Sequence, residues 1–136
     1  MLVVDASALV ELLLRRAAEA QVTQHFRAHD FDLHAPHIVG VEVASTLRRI
    51  VAIGEADAPR ATDALTDLLD LPLERYAHEA LLPRAWTLRE NMSAYDATYV
   101  ALAEVLEDGG TPLLTADRRL AHAARAHTEV EVLLAG

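Results

Sequence analysis

The chain contains no cysteine and no lysine. Without cysteine it can have no disulfide framework, no zinc knuckle and no thiolate nucleophile, and a reducing compartment costs it nothing, so the cytoplasm is the expected location. Without lysine it cannot be a P-loop protein, whose lysine reaches the bound phosphates, and a phospho-receiver domain is equally disfavoured. No apolar run approaches the ~18 residues of a membrane helix, and no basic segment precedes Leu2-Val3-Val4, so a chain neither exported nor embedded is expected. Aromatic residues are only 4% of the chain, which places Trp86, one helical turn from Leu82, in the core and leaves Tyr95 and Tyr99 open as base-stacking groups. Positive charge is also scarce: the formal net charge of −9 argues against nucleic-acid binding by a broad basic surface.

What is present fits a single globular domain over residues 1–136, rich enough in apolar residues (52%) to fill a core and leave some surplus for an oligomeric interface. Leu2 to Val4 reads as a buried strand feeding a helix from Ala6 to Arg16, then a helix from Ala18 to His29 and a strand from Phe31 to Ala35. Val39, Val43, Leu47, Ile50 and Val51 form a helical stripe that stops at Gly54, a C′ residue. A helix from Ala58 to Leu69 is followed by a strand near Leu71 to Leu73. Helices over Glu79 to Glu90 and Ala94 to Glu107 are separated by Asn91-Met92-Ser93, with Ser93 as N-cap. A strand at Pro112 to Thr115, a helix from Ala116 to Ala126 and a strand from Glu129 to Leu134 complete an alternation that implies a three-layer α/β/α fold around a mostly parallel sheet.

Four acids stand out against this background. Asp5 closes the first strand, Glu42 lies beside the long helical stripe, Asp96 sits in the first turn of a helix, and Asp117 follows Leu113-Leu114-Thr115. Each has an ordinary explanation, as a cap, a solvated helix position or an acid favoured by a helix dipole. Together they are the oxygen ligands that Mg²⁺ or Mn²⁺ prefers, carried by elements whose ends converge when strands run parallel. Ser7 and Thr115 are hydroxyls placed to orient those carboxylates. Asp63, Asp67 and Asp70 read only as the wet side of a helix. The arginine pairs Arg15-Arg16, Arg48-Arg49 and Arg118-Arg119 are candidate RNA or partner contacts, or else solvated helix faces.

The local context of the acids resembles the PIN-domain ribonucleases, and among them the VapC-type toxins of prokaryotic toxin–antitoxin pairs. Val4-Asp5-Ala6-Ser7-Ala8 is similar to the first acidic motif of that family. Pro36 with Glu42-Val43-Ala44 and Leu47-Arg48-Arg49 is similar to the second, Tyr95-Asp96-Ala97 with Tyr99-Val100-Ala101-Leu102-Ala103 to the third, and Leu114-Thr115-Ala116-Asp117-Arg118-Arg119-Leu120 to the fourth. The resemblance spans essentially the whole chain and implies a PIN-like fold and a metal-dependent endoribonuclease, leaving a 5′-phosphate and a 3′-hydroxyl. It implies Asp5 and Asp96 as principal ligands of Mg²⁺ or Mn²⁺, with Glu42 completing the set or orienting water, and Asp117 acting directly or through water. It further implies an RNA substrate, a cognate VapB-type antitoxin whose arginine could enter the acidic groove, and a homodimer, expected here through the apolar faces around Leu47 to Val51 and Leu81 to Leu88.

Other chemistries weigh less. A metal-free mechanism would need paired imidazoles, but His25, His29, His34, His37, His78, His122 and His127 lie mostly at helix surfaces or loop edges without a partner motif. A non-catalytic PIN-like module for RNA or a partner would not need all four acids. A flap nuclease would need extensions that 136 residues do not accommodate.

Overall fold

The computed structural model describes every residue from Met1 to Gly136. Five strands form one sheet: β1 (Leu2–Val4), β2 (Leu33–Pro36), β3 (Leu73–Tyr76), β4 (Leu113–Thr115) and β5 (Val132–Leu134). They lie in the order β3-β2-β1-β4-β5, and every pairing is parallel, so the sheet is wholly rather than mostly parallel. Seven α-helices accompany it: α1 (Ala6–Leu13), α2 (Glu19–Ala28), α3 (Ile38–Ala52), α4 (Ala58–Asp70), α5 (Leu82–Thr87), α6 (Ala94–Val105) and α7 (Arg118–His127). The result is a three-layer α/β/α architecture in which α1 to α4 pack on one another and α5 packs on α6.

Central strands of such a sheet are covered on both faces, which is why β1 and β4 read as unbroken apolar runs rather than alternating ones. All three residues of β1 are fully buried. From β1 the chain builds outward through β2 to β3, then returns to lay β4 against the other edge of β1. The strand order therefore reverses between β1 and β4, and in open parallel sheets the crevice at the carboxyl ends of that switch point is where ligands bind. Asp5 and Thr115 stand at those ends.

Helix α6 is the axle of the core. Its residues Ala97 to Ala103 are all buried, the signature of a helix enclosed on every side, and it lies against β1, β2 and β4. The small Ala97, Ala101 and Ala103 permit that close approach. Ser93 caps the helix, its Oγ accepting the Asp96 amide at 3.1 Å, as the Asn91-Met92-Ser93 break predicts. Gly54 ends α3 at a φ of +78°, a conformation that a β-carbon would strain.

Several boundaries move. Helix α1 stops at Leu13 rather than Arg16 because Arg15 turns into the left-handed region at a φ of 53°. β3 forms at Leu73–Tyr76, beyond Leu71 to Leu73, because those residues find the register with Leu33 to Pro36. The single helix expected over Glu79 to Glu90 is instead a 3₁₀ turn at Glu79–Leu81 followed by the short α5, which Pro83 restarts from its first turn. This break decides which face goes inside. Leu81, Ala85 and Leu88 are buried, whereas Leu82 and Trp86 point outward, and Trp86 is 67% exposed beneath the Arg89 guanidinium at 4.7 Å. The expectation of a core Trp86 is overturned.

Within the faces expected to form a dimer contact, Leu47, Ile50, Leu81 and Leu88 are consumed by the core, while Leu82 and Trp86 stay exposed. One further expectation is corrected. His34 is not at an edge: it is buried in β2, with Nε2 2.7 Å from Asp32 Oδ1 and Nδ1 2.7 Å from Tyr76 Oη. No helix is long and apolar enough to cross a membrane.

Burial predicts an unequal pair of truncations. Phe26, 1% exposed and edge-on to Phe31 at 6.1 Å, should cost about 3–5 kcal/mol when changed to alanine. Trp86→Ala should stay within about 0.5 kcal/mol of wild type in urea unfolding, the range of ordinary surface substitutions. Equal costs would contradict this assignment of inside and outside.

Candidate active site

The reversal of strand order opens a cleft of about 560 Å³, and Asp5, Glu42, Asp96, Asp117 and Ser7 all line it. Residues separated by more than a hundred positions thus share one wall. Asp5 reaches it as the residue after β1 and Glu42 from α3. Asp96 projects from the first turn of α6, and Asp117 from the N-cap of α7.

Asp5 is the most enclosed of the four, at 4% exposure. Two hydroxyls hold it: Ser7 Oγ donates to Oδ2 at 2.6 Å and Thr115 Oγ1 donates to the same oxygen at 2.7 Å. Those hydroxyls are themselves fixed. Ser7 Oγ accepts the Ala116 amide at 2.9 Å and Thr115 Oγ1 accepts the Asp117 amide at 2.9 Å. Thr115 does not line the cleft; it is fully buried beneath it, joining β4 to β1 through Asp5.

Glu42 is held by a partner that the sequence left as a possible base-stacking group. Tyr99 is fully buried, so it cannot stack on a nucleotide; its Oη donates to Glu42 Oε1 at 2.6 Å and ties α6 to α3. The signal was the spacing: Asp96 and Tyr99 are three residues apart and share one face of α6. Tyr95, by contrast, is 59% exposed and lines the cleft. Asp117 is partly committed as a cap, Oδ1 accepting the amides of Arg119 at 2.8 Å and Leu120 at 3.3 Å.

The electrostatics follow from burial first. Removal from water raises the Asp5 carboxyl above its ordinary range, with the hydroxyls of Ser7 and Thr115 opposing and the charge of Asp117 adding to the rise. Burial likewise raises Glu42, against the Tyr99 hydrogen bond. Asp96 is pushed up to about 6 by burial, then by the charges of Asp5 and Asp117. None of the four takes part in an ion pair within the protein. No three histidine, aspartate or glutamate side chains already stand in a ligand arrangement, so the fit to a cation rests on donor chemistry and charge. On those grounds it is good: hard carboxylate oxygens, partly buried, mutually repelling and without an ion-pair partner, are the donor set that a small divalent cation neutralises.

The raised Asp96 carries a stability consequence in metal-free solution. Its carboxyl titrates near 6 in the folded protein against 3.8 ordinarily, so folding takes up a proton, and the stabilisation is full below pH ~4 and lost as the pH rises through ~6. In excess chelator, Asp96→Asn should therefore melt above wild type at pH 7.5, with the gap narrowing at pH 4. A gap independent of pH would show that the carboxyl titrates normally.

Comparison with known proteins agrees with this geometry. The PIN domain family model matches residues 2–126. Ribonuclease VapC9 of Mycobacterium tuberculosis is 41% identical over 136 residues, spanning 98% of both chains. Ribonuclease VapC1 of the same organism is 41% identical over 135 residues, spanning 96% of both. Among solved structures, PAE2754 from Pyrobaculum aerophilum superposes with a TM-score of 0.65 at 25% identity, covering 96% of this chain and 81% of that one. The parallel sheet, the acids gathered at its switch point and this full-length similarity lead to one assignment: the chain belongs to the PIN-domain family, among the VapC ribonucleases.

Proposed function

We propose that the chain, a single domain over residues 1–136, is a divalent-metal-dependent endoribonuclease and the toxin of a VapBC-type pair, acting on RNA in the cytoplasm and restrained by a cognate VapB-type antitoxin. The observation that carries this reading is the convergence of Asp5, Glu42, Asp96 and Asp117 on one cleft, none of them in an ion pair. Asp5 and Asp96 would be the principal ligands of Mg²⁺ or Mn²⁺, with Glu42 and Asp117 completing the set directly or through water. Once bound, such an ion supplies Lewis acidity toward the phosphate and lowers the pKa of water.

The chain's own residues do the positioning. Ser7 and Thr115 both grip Asp5 Oδ2, so its second oxygen is the one presented to a ligand. Tyr99 does the same for Glu42 by occupying Oε1. Glu42, its carboxyl raised by burial, is placed on the cleft wall to orient the attacking water. The Ser93 cap fixes the turn that carries Asp96.

The principal test is cleavage of structured RNA by purified protein in Mg²⁺, in Mn²⁺ and in chelator. Metal-dependent cutting that falls at least ~100-fold in Asp96→Asn is the expected result, in line with the loss of one preorganised electrostatic group; undiminished cutting in chelator would overturn the proposal. Ion binding should also be visible without catalysis. At an ion concentration a hundredfold above Kd, linkage stabilises the wild type by about 2.7 kcal/mol. Mn²⁺ should raise the melting temperature of the wild type and do so much less for Asp96→Asn, and equal shifts would remove Asp96 from the ligand set.

A further inference from the structure

The cleft is not uniformly acidic. Besides five carboxylates its wall carries two guanidinium groups, Arg16 and Arg49. These are the inward members of two of the arginine pairs in the sequence. Arg48, one residue from Arg49, faces a separate groove between α3 and α4 beside Ala58 and Leu65. Arg15 is exposed in its left-handed turn.

Helix period explains the sorting. Ile38, Val41, Glu42, Ser45, Thr46 and Arg49 all line the cleft, and their offsets of three, four, seven, eight and eleven residues trace one face of α3. This face begins apolar, passes the acidic Glu42, continues through two hydroxyls and ends in a cation. Thr62, Thr66, Thr98 and Thr128 turn their hydroxyls back to the carbonyl four residues earlier. Ser45 and Thr46 are not tied back in this way, which leaves both as donors toward the cleft. Arg16 stands at the same end as Arg49. It is steadied by Glu11 at 3.6 Å and by Glu55, just past the end of α3, at 3.5 Å, whereas Arg49 has no acidic partner.

We propose that this face of α3 is a track for the backbone of single-stranded RNA, with Arg49 as the subsite for a phosphate away from the scissile bond, Arg16 supporting it, and Ser45 and Thr46 donating between. The proposal rests on the ribonuclease reading above and adds where the strand lies. Seven residues of helix separate Glu42 from Arg49 by about 10 Å along the axis. Successive phosphates of a strand lie at least ~3.4 Å apart, so that is a phosphate no more than about three positions from the bond that is cut. Arginine suits the task because its planar fork binds phosphate through two parallel hydrogen bonds.

The experiment measures kcat/KM on short single-stranded RNA across a range of NaCl, for wild type, Arg49→Gln, Arg49→Lys and Arg48→Gln. Arg49→Gln should lose about tenfold, mostly in KM, and flatten the log–log salt slope by about 0.7, the value of one single-strand phosphate contact. Arg49→Lys should recover the slope, and Arg48→Gln should stay within twofold of wild type. Substrates trimmed to fewer than about three nucleotides on one side of the cut, and on one side only, should make wild type and Arg49→Gln equal. An Arg48→Gln defect matching that of Arg49→Gln, an unchanged slope, or indifference to trimming on both sides would overturn the track. Should wild type cut nothing, the ribonuclease reading fails on its own, and the same variants compared by fluorescence anisotropy with Mg²⁺ and these oligonucleotides still decide whether Arg49 holds a phosphate.

Discussion

The structure depends on the cost of placing a carboxylate where water hardly reaches. Asp5 ends the central strand at 4% exposure, and an anion there is tolerated only because its surroundings are arranged around it. Ser7 and Thr115 donate to one of its oxygens, and the amides of Ala116 and Asp117 in turn hold those hydroxyls. This small network ties the ends of β1 and β4 to the start of α7, so that the sheet's switch point and the acidic cleft are built from the same bonds. Hydrogen bonds reduce the electrostatic cost without abolishing it. The residual tension, shared with Glu42 and Asp96, is what makes the cleft receptive to a small, highly charged cation.

A protein with a formal charge of −9 that acts on a polyanion faces a conflict, and the geometry shows how it is managed. The excess acid outside the cleft is spread over helix surfaces such as the exposed Asp63, Asp67 and Asp70 of α4, where salt screens it. Inside the cleft the carboxylates are concentrated where a divalent ion would offset them, and the cations stand at the far end of α3. Attraction is thus local and directional rather than a property of the whole surface. Such an arrangement favours a strand laid in one orientation over the indiscriminate adhesion of a broadly basic protein.

Much of this was legible in the sequence because the signals were strong and local. The apolar runs at Leu2 to Val4 and Leu113-Leu114 read as buried strands, and Ser93 marked the start of the helix that the structure shows to be central. The four acids were conspicuous because each adjoined such an element. What the sequence hid was a matter of phase and partnership. Leu82 and Trp86 are as apolar as Leu81 and Leu88, and only the restart of the helix at Pro83 decided that the smaller set, with Ala85, faced inward. His34 looked peripheral because its partners, Asp32 and Tyr76, meet it only when β2 and β3 pair. Tyr99 was left open as a base-stacking group, whereas the structure makes it a buried donor to Glu42 on α3. Each of these depends on which element lies opposite, and a one-dimensional pattern does not carry that information.

The order of the strands also sets a schedule for synthesis. β1 is made first, yet one of its two neighbours, β4, lies more than a hundred residues downstream. Until Thr115 has left the ribosome, the edge of β1 stays unpaired and Asp5 lacks one of its two hydroxyl donors. Contacts so distant in sequence form late and slowly. The cleft therefore cannot be complete until Asp117 has been translated, and no nascent fragment ending before it can assemble it.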